Sequence, residues 1–218
     1  MAYKILSAFE NLPYFTITGF KQLVGETATD YQLARVALHR WVKAGYLITL
    51  KKGVYMHRRF FERHRKETTF SPLVSSILLP QSYLSLEYIL QQHNVLTEIT
   101  YPVTAVTIKN TRTISNPIGT FVYRHVKADL YRGFQIAEAY GIPYSQASKS
   151  KALFDYLYLR PLPESLSPTH YNLAEELRLN LDEFAPDEQI EFKGYIAVSR
   201  MSKMENVLKN LEFHVWRP

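Results

Sequence analysis

The sequence predicts an α+β chain in two parts, a basic part over residues 1–70 and a larger part over residues 71–218. Three observations predict it. Positive charge sits at the start: residues 1–70 hold 12 Lys/Arg and 5 Asp/Glu, a net +7, while residues 71–218 hold 14 and 15, a net −1. A two-faced helical pattern runs directly into two short apolar stretches joined by Lys51-Lys52-Gly53. Beyond residue 70 the order is helix, strands, helices, which is the order of an α+β domain.

In the first part, Lys4 to Asn11 reads as a helix stopped by Pro13, and FTITGFKQLVG as a short strand and a short helix carrying Phe20, Leu23 and Val24. Thr29 followed by Gln32 has capping-box spacing, which starts a helix at Asp30; Lys43 and Gly45 suit its end. Ala34, Leu38, Trp41 and Val42 make one apolar face of that helix, and Gln32, Arg35, His39 and Lys43 a polar one. Tyr46 to Leu50 and Val54 to Met56 alternate as strands about the lysine turn. Helix, turn, capped helix and hairpin form the pattern of a winged helix-turn-helix. A polar stripe alone is an ordinary solvated face, and Lys-Lys-Gly an ordinary turn. Together with the local charge they point to double-stranded DNA, with Arg35 as the best base reader and Lys51 and Lys52 on phosphates.

His57 to Pro72 reads as a basic linker helix with Phe60 and Phe61 turned inward. In the larger part, Leu73 to Leu79 is a short apolar element and SYLSLEYILQQHNVL a helix opening after Pro80. Val103 to Ile108 and the run from Thr120 are strands with SNPIG as a loop between them, and Ser148 to Leu159 is a helix. Ser167 and Pro168 open a helix through Leu181, and helical stretches follow at Glu188–Val198 and Lys203–Leu211. Seven acids between Glu175 and Glu191 read as a solvated face.

Composition closes off several classes. The chain is 46% hydrophobic and 14% aromatic, enough for a packed core and against wholesale disorder. Cysteine is absent, which excludes disulfides, thiolate zinc sites and a cysteine nucleophile and fits a reducing cytoplasm. Lys4 and Glu10 interrupt any leader-like apolar run, and no stretch approaches the roughly 18 apolar residues of a membrane span. No phosphate-binding loop, zinc-protease or hydrolase motif is found, so no catalytic residue, metal or cofactor is expected and the chain reads as a non-enzyme. Lys151 and Asp155, at i, i+4, read as a surface ion pair.

The segments WVKAGYLITLKKGVYM, PQSYLSLEYILQQHNVLTE, VTAVTIKNTRTI with GTFVYRHVK, and ASKSKALFDYLYLR resemble, in their order, the AbiEi-family antitoxins of type IV toxin–antitoxin systems, in which a winged helix precedes an α+β domain. The family's Ala-Ser-Pro-Glu-Lys-Ala-Leu pattern followed by an aspartate is met by Ala147, Ser148, Lys151, Ala152, Leu153 and Asp155, with Lys149 and Ser150 replacing the proline and glutamate. The resemblance implies a DNA-binding antitoxin that represses its own operon at an inverted repeat and counteracts a nucleotidyltransferase-type toxin, without requiring a stable complex with it. Its candidate motif residues here are Ser82, Tyr83, Ser85, Lys151 and Asp155. A homodimer on DNA would read half-sites about 10–10.5 bp apart. Two alternatives stand beside it: a one-component transcriptional regulator whose larger domain senses a small molecule, and a nucleic-acid-modifying enzyme targeted by its winged helix.

Overall fold

The computed structural model describes residues 6–24, 28–97, 102–162 and 171–216, without the side chains of 23, 24 and 28–31. Its first part begins with a helical turn from residue 6 that buries Leu6 and Phe9. Strand β1 (Phe15–Thr16), helix α1 (Ile17–Val24), helix α2 (Ala28–Lys43) and the hairpin β2 (Leu47–Lys51)–β3 (Val54–His57) follow. The three strands form one antiparallel sheet in the order β1-β3-β2. Phe9 stacks on Phe15 and Phe20 meets Trp41 edge-on, so aromatic rings fill the small core with Ala34, Leu38 and Leu47. Helix α2 already includes Ala28, so Thr29 lies inside the helix rather than capping it. The Thr29 side chain falls outside the described residues, as do Lys4 and the Ser167-Pro168 start expected further on.

Helices α3 (Arg58–His64) and α4 (Phe70–Leu78) lead into the larger part. His57 caps α3 through Nδ1, which accepts the Arg59 N–H at 3.1 Å. Next come β4 (Ser82–Leu84), α5 (Glu87–Gln92), β5 (Val103–Thr107), β6 (Arg112–Asn116), β7 (Gly119–His125), β8 (Phe134–Ala139), β9 (Ile142–Ala147), α6 (Lys149–Leu159), α7 (Leu173–Glu176), α8 (Pro186–Ser199) and α9 (Ser202–His214). The six strands form one mixed sheet in the order β6-β7-β5-β4-β9-β8. Strand β4 pairs antiparallel with β5 and parallel with β9, and β5 pairs parallel with β7. Tyr123 on β7 donates to the Ser75 carbonyl of α4, while Tyr83 on β4 donates to Asp155 of α6. Helices α4 and α6 therefore cover opposite faces of the sheet.

Several expectations need correction. SYLSL does not open a helix; Ser82–Leu84 is a fully buried strand in the middle of the sheet, and α5 begins only after Leu86. Ser115 and Asn116, expected in the SNPIG loop, end the strand Arg112–Asn116 and Gly119 begins the next one, and the β8–β9 hairpin about Tyr140-Gly141 is a further pair that the sequence does not predict. The helix expected through Leu181 is the single turn α7, since Arg178 takes a positive φ. The expected helix at Ser148 is present, with the Ser148 hydroxyl accepting the Lys151 N–H at 3.1 Å.

The hairpin β2–β3 is a wall shared by both parts. Leu47 belongs to the small core, whereas Ile48, Leu50, Val54 and Met56 belong to the large one. Alternation along the strands sends successive side chains to opposite faces, and here both faces are covered. The Leu50 carbonyl accepts from the Asn116 amide at 3.1 Å, and Tyr140 of the β8–β9 turn meets both His64 and Glu67.

Candidate functional site

Helix α2 forms because Leu33, Ala34, Arg35, Ala37 and Leu38 are strong helix formers, and it stops in a glycine cap. Gly45 takes φ +79°, its N–H reaches the Val42 carbonyl at 3.0 Å and the Tyr46 N–H reaches Trp41 at 2.9 Å, the pair of bonds that closes a helix end. Ala34 and Leu38 are buried to 1% and fix the inner face. Gln32, Arg35, His39 and Lys43 are all exposed, as the sequence predicts. The centre of the outer face is different from the one expected. Near 3.6 residues per turn, Gln32, Val36, His39 and Lys43 stack along its midline, Arg35 lies on one flank, and Leu33 and Arg40 on the other. Val36 and Leu33 are 46% and 59% exposed, which puts apolar surface on that face beside the polar side chains. A helical projection of the sequence would have found Val36; the polar pattern hid it.

The hairpin tip divides the two lysines. Lys52 is exposed. Lys51 instead points its ammonium at the carboxyl end of α4, donating to the Ile77 and Leu78 carbonyls at 2.8 Å each, and burial lowers its pKa. Two orphan carbonyls and the negative end of a helix dipole hold a cation well. The role expected for Lys51 on DNA phosphate gives way to an anchor between the two parts.

The motif residues of the larger part converge on one carboxylate. Asp155 accepts from Lys151 Nζ at 2.5 Å, Ser85 Oγ at 2.7 Å and the Tyr83 hydroxyl at 2.9 Å. Both side chains of the Lys151–Asp155 pair are 0% exposed, so it is a buried pair and not the surface pair expected. Burial pushes the Lys151 pKa down and the Asp155 pKa up, and their mutual attraction opposes both shifts. The rings of Phe154, Tyr195 and Tyr83 stand 4.9, 5.2 and 5.6 Å from the ammonium, a cation–π lining in place of water. Burial and the neighbouring carboxylate also raise the Tyr83 pKa, which keeps its hydroxyl a donor. Tyr195 leaves no room beside residue 133: a Cβ on Gly133 would fall 2.1 Å from its hydroxyl oxygen, and the φ of +75° there also favours glycine. Ser82 is not part of this cluster; its hydroxyl donates to the Leu79 carbonyl at 2.6 Å.

The cluster continues along the backbone. The Ser85 N–H donates to the Thr104 carbonyl at 3.2 Å, and the Thr104 hydroxyl donates to the Ser85 carbonyl at 2.8 Å and accepts the Tyr88 N–H at 3.0 Å. These bonds hold Leu86 at φ 60°, ψ −142°, a conformation that costs a non-glycine residue roughly 1–3 kcal/mol. Among the described residues no His, Asp or Glu cluster is arranged to hold a metal ion, and no helix is long and apolar enough to cross a membrane. No protein-family model matches the chain, and no curated protein is similar to it in sequence.

Proposed function

We propose that this chain is a cytoplasmic DNA-binding antitoxin of a type IV toxin–antitoxin system, which represses its own operon and counteracts a nucleotidyltransferase-type toxin. The observation that carries the DNA half is the outer face of α2, where Gln32, Arg35, Val36, His39, Arg40 and Lys43 are all exposed on a helix whose other face is locked into a core. The order helical turn, β1, α1, α2, β2, β3 supports a winged helix-turn-helix reading, in which α2 is the helix that enters the major groove. Gln32 suits adenine and Val36 the methyl of thymine, while Arg35 and Arg40, on the flanks, suit the phosphates on either side. The antitoxin half draws on the resemblance, and the convergence of Tyr83, Ser85, Lys151 and Asp155 supports it by giving the matched motifs one shared physical role.

The test is a gel shift with the full chain on DNA from upstream of its own coding sequence, in a potassium chloride series. Affinity should fall with salt, and Lys43→Ala should lower the log–log slope by about 0.9 on every sequence. Gln32→Ala should cost about 1–3 kcal/mol at one base pair and leave random DNA unaffected. Salt-independent binding, or equal loss on all sequences from both variants, rejects the DNA half. For the antitoxin half, the adjacent downstream gene is expressed alone and then with the full chain. Growth arrest relieved by the full chain supports it; a harmless neighbour or an unrelieved arrest rejects it.

A further inference from the structure

A cavity lies beyond the motif cluster, on the face of the sheet covered by α6. It is a half-open cleft of about 790 Å³, within the range of small-molecule sites. Thr104 and Val122 floor it from the sheet, Leu86 and Glu87 wall one side, and Tyr156, Leu159 and Pro161 another. Two guanidinium groups, Arg124 and Arg160, stand in its lining. The walls are tied to the buried polar cluster at three points: Thr104 by its hydrogen bonds to Ser85, Leu86 by direct succession to Ser85, and Tyr156 by direct succession to Asp155. The strained Leu86 backbone therefore sits at the wall of a cavity and is held there by hydrogen bonds continuous with the buried polar network.

The charges in the lining specify the occupant. Arg124 gives one donor to the Leu159 carbonyl at 3.3 Å, and Arg160 gives one to the Tyr156 hydroxyl at 2.6 Å, with its guanidinium 5.2 Å from the centre of that ring. Each guanidinium carries five N–H donors, so both retain donors for a further acceptor. Both residues are exposed; Arg160 directly follows α6, and Arg124 reaches that helix end from β7. Planar guanidinium forks match carboxylate and phosphate oxygens. Among the described residues of the lining Glu87 is the one carboxylate, so it accepts an N–H or O–H and repels a second anionic group. Leu86, Val122, Leu159 and the prolines supply the apolar remainder.

We propose that this cavity binds a small organic oxyanion, a phosphate monoester or carboxylate on an apolar, hydrogen-bond-donating body, with Arg124 and Arg160 on the anionic group and Glu87 on the body. The site stands independently of the DNA reading.

The test is isothermal titration of the full chain with phenyl phosphate, 4-phenylbutyrate and adenosine monophosphate, with inorganic phosphate and adenosine as controls. Binding by one of the organic anions at about 1 mM or below is expected, with both controls weaker by about tenfold. The tighter of the phosphate and carboxylate arms identifies the head group. Arg124→Ala and Arg160→Ala should each weaken it by about tenfold or more, while Arg200→Ala, in a separate basic cleft, should not. Methyl resonances of Leu86 and Val122 in the unaltered protein should shift on titration, a readout that depends on no variant. No binding by any of the three anions, inorganic phosphate binding as well as they do, or binding insensitive to both arginines overturns the proposal.

Discussion

Removing either member of the Lys151–Asp155 pair should destabilise the chain by about 3–5 kcal/mol at neutral pH, because each leaves an uncompensated charge with no access to water. Against the 5–15 kcal/mol typical of a folded domain that is a large fraction, and the two variants should differ in how it varies with pH. In Lys151→Met, Asp155 keeps the Tyr83 and Ser85 hydroxyls but loses its cation, so its folded pKa rises further above the unfolded value. Stability of that kind is complete below the unfolded carboxyl pKa, about 3.9, and is lost as pH rises, so the variant should be less impaired at pH 5 than at neutral pH. In Asp155→Asn, Lys151 is left among three rings and its folded pKa falls further. Its contribution is complete above the unfolded lysine pKa and is lost as pH falls, so that variant should recover towards pH 10. Over the titrating range each slope approaches about 1.4 kcal/mol per pH unit, with opposite signs. Lys151→Met/Asp155→Leu should recover most of the loss, since an apolar replacement of a buried pair is often neutral or better. Urea denaturation at pH 5, 7 and 9 measures all of this. Single-variant losses below about 1 kcal/mol, or slopes of the same sign, would refute the claim that the pair is buried and charged.

Three further outcomes follow from the same structure. Residues 1–70 and 71–218 expressed separately should fold poorly, since Ile48, Leu50, Val54 and Met56 would each lose burial worth about 1.5–3 kcal/mol. Well-dispersed amide spectra from both fragments would count against a shared core. Lys51→Ala should cost about 2 kcal/mol of stability and leave the salt slope of DNA binding unchanged, whereas Lys52→Ala should do the reverse and lower the slope by about 0.9; matched salt titrations and urea melts separate the two. His57 is buried, its pKa is lowered by that burial, and its Nδ1 must stay unprotonated to cap α3. A folded pKa below the unfolded one gives stability that is complete above about pH 6.5 and lost as pH falls, so the urea midpoint should drop between pH 7 and 5. His57→Asn keeps a cap acceptor without the titration, and the same drop in that variant would rule out His57 as its source.

Elements under the control of local chemistry were legible in the order of residues. Ser148 had to cap a helix, Gly45 had to end one, and the spacing of Ala34 and Leu38 decided which face of α2 turns inward. Strands β5 and β7 were legible because their apolar runs lie between clear turns. Strand β4 was not, because Ser82 to Leu86 holds apolar side chains that fit either period, and only strands on both sides made it a strand. The β8–β9 hairpin escaped because its pairing is set across a turn, and neither FQIAEA nor IPYSQA alternates cleanly between apolar and polar. The decisive case is Lys151 and Asp155. A spacing of i, i+4 is the same on a wet surface and in a dry core, and what separates the two is the Tyr83 and Ser85 hydroxyls brought in from 72 and 70 residues away. Lys51 follows the same logic: its turn was readable, but the helix end that holds its charge is 26 residues further along the chain. Local geometry is written in neighbouring residues. Burial and long-range partners belong to tertiary packing, because exclusion of water requires side chains from several elements to close around the same point.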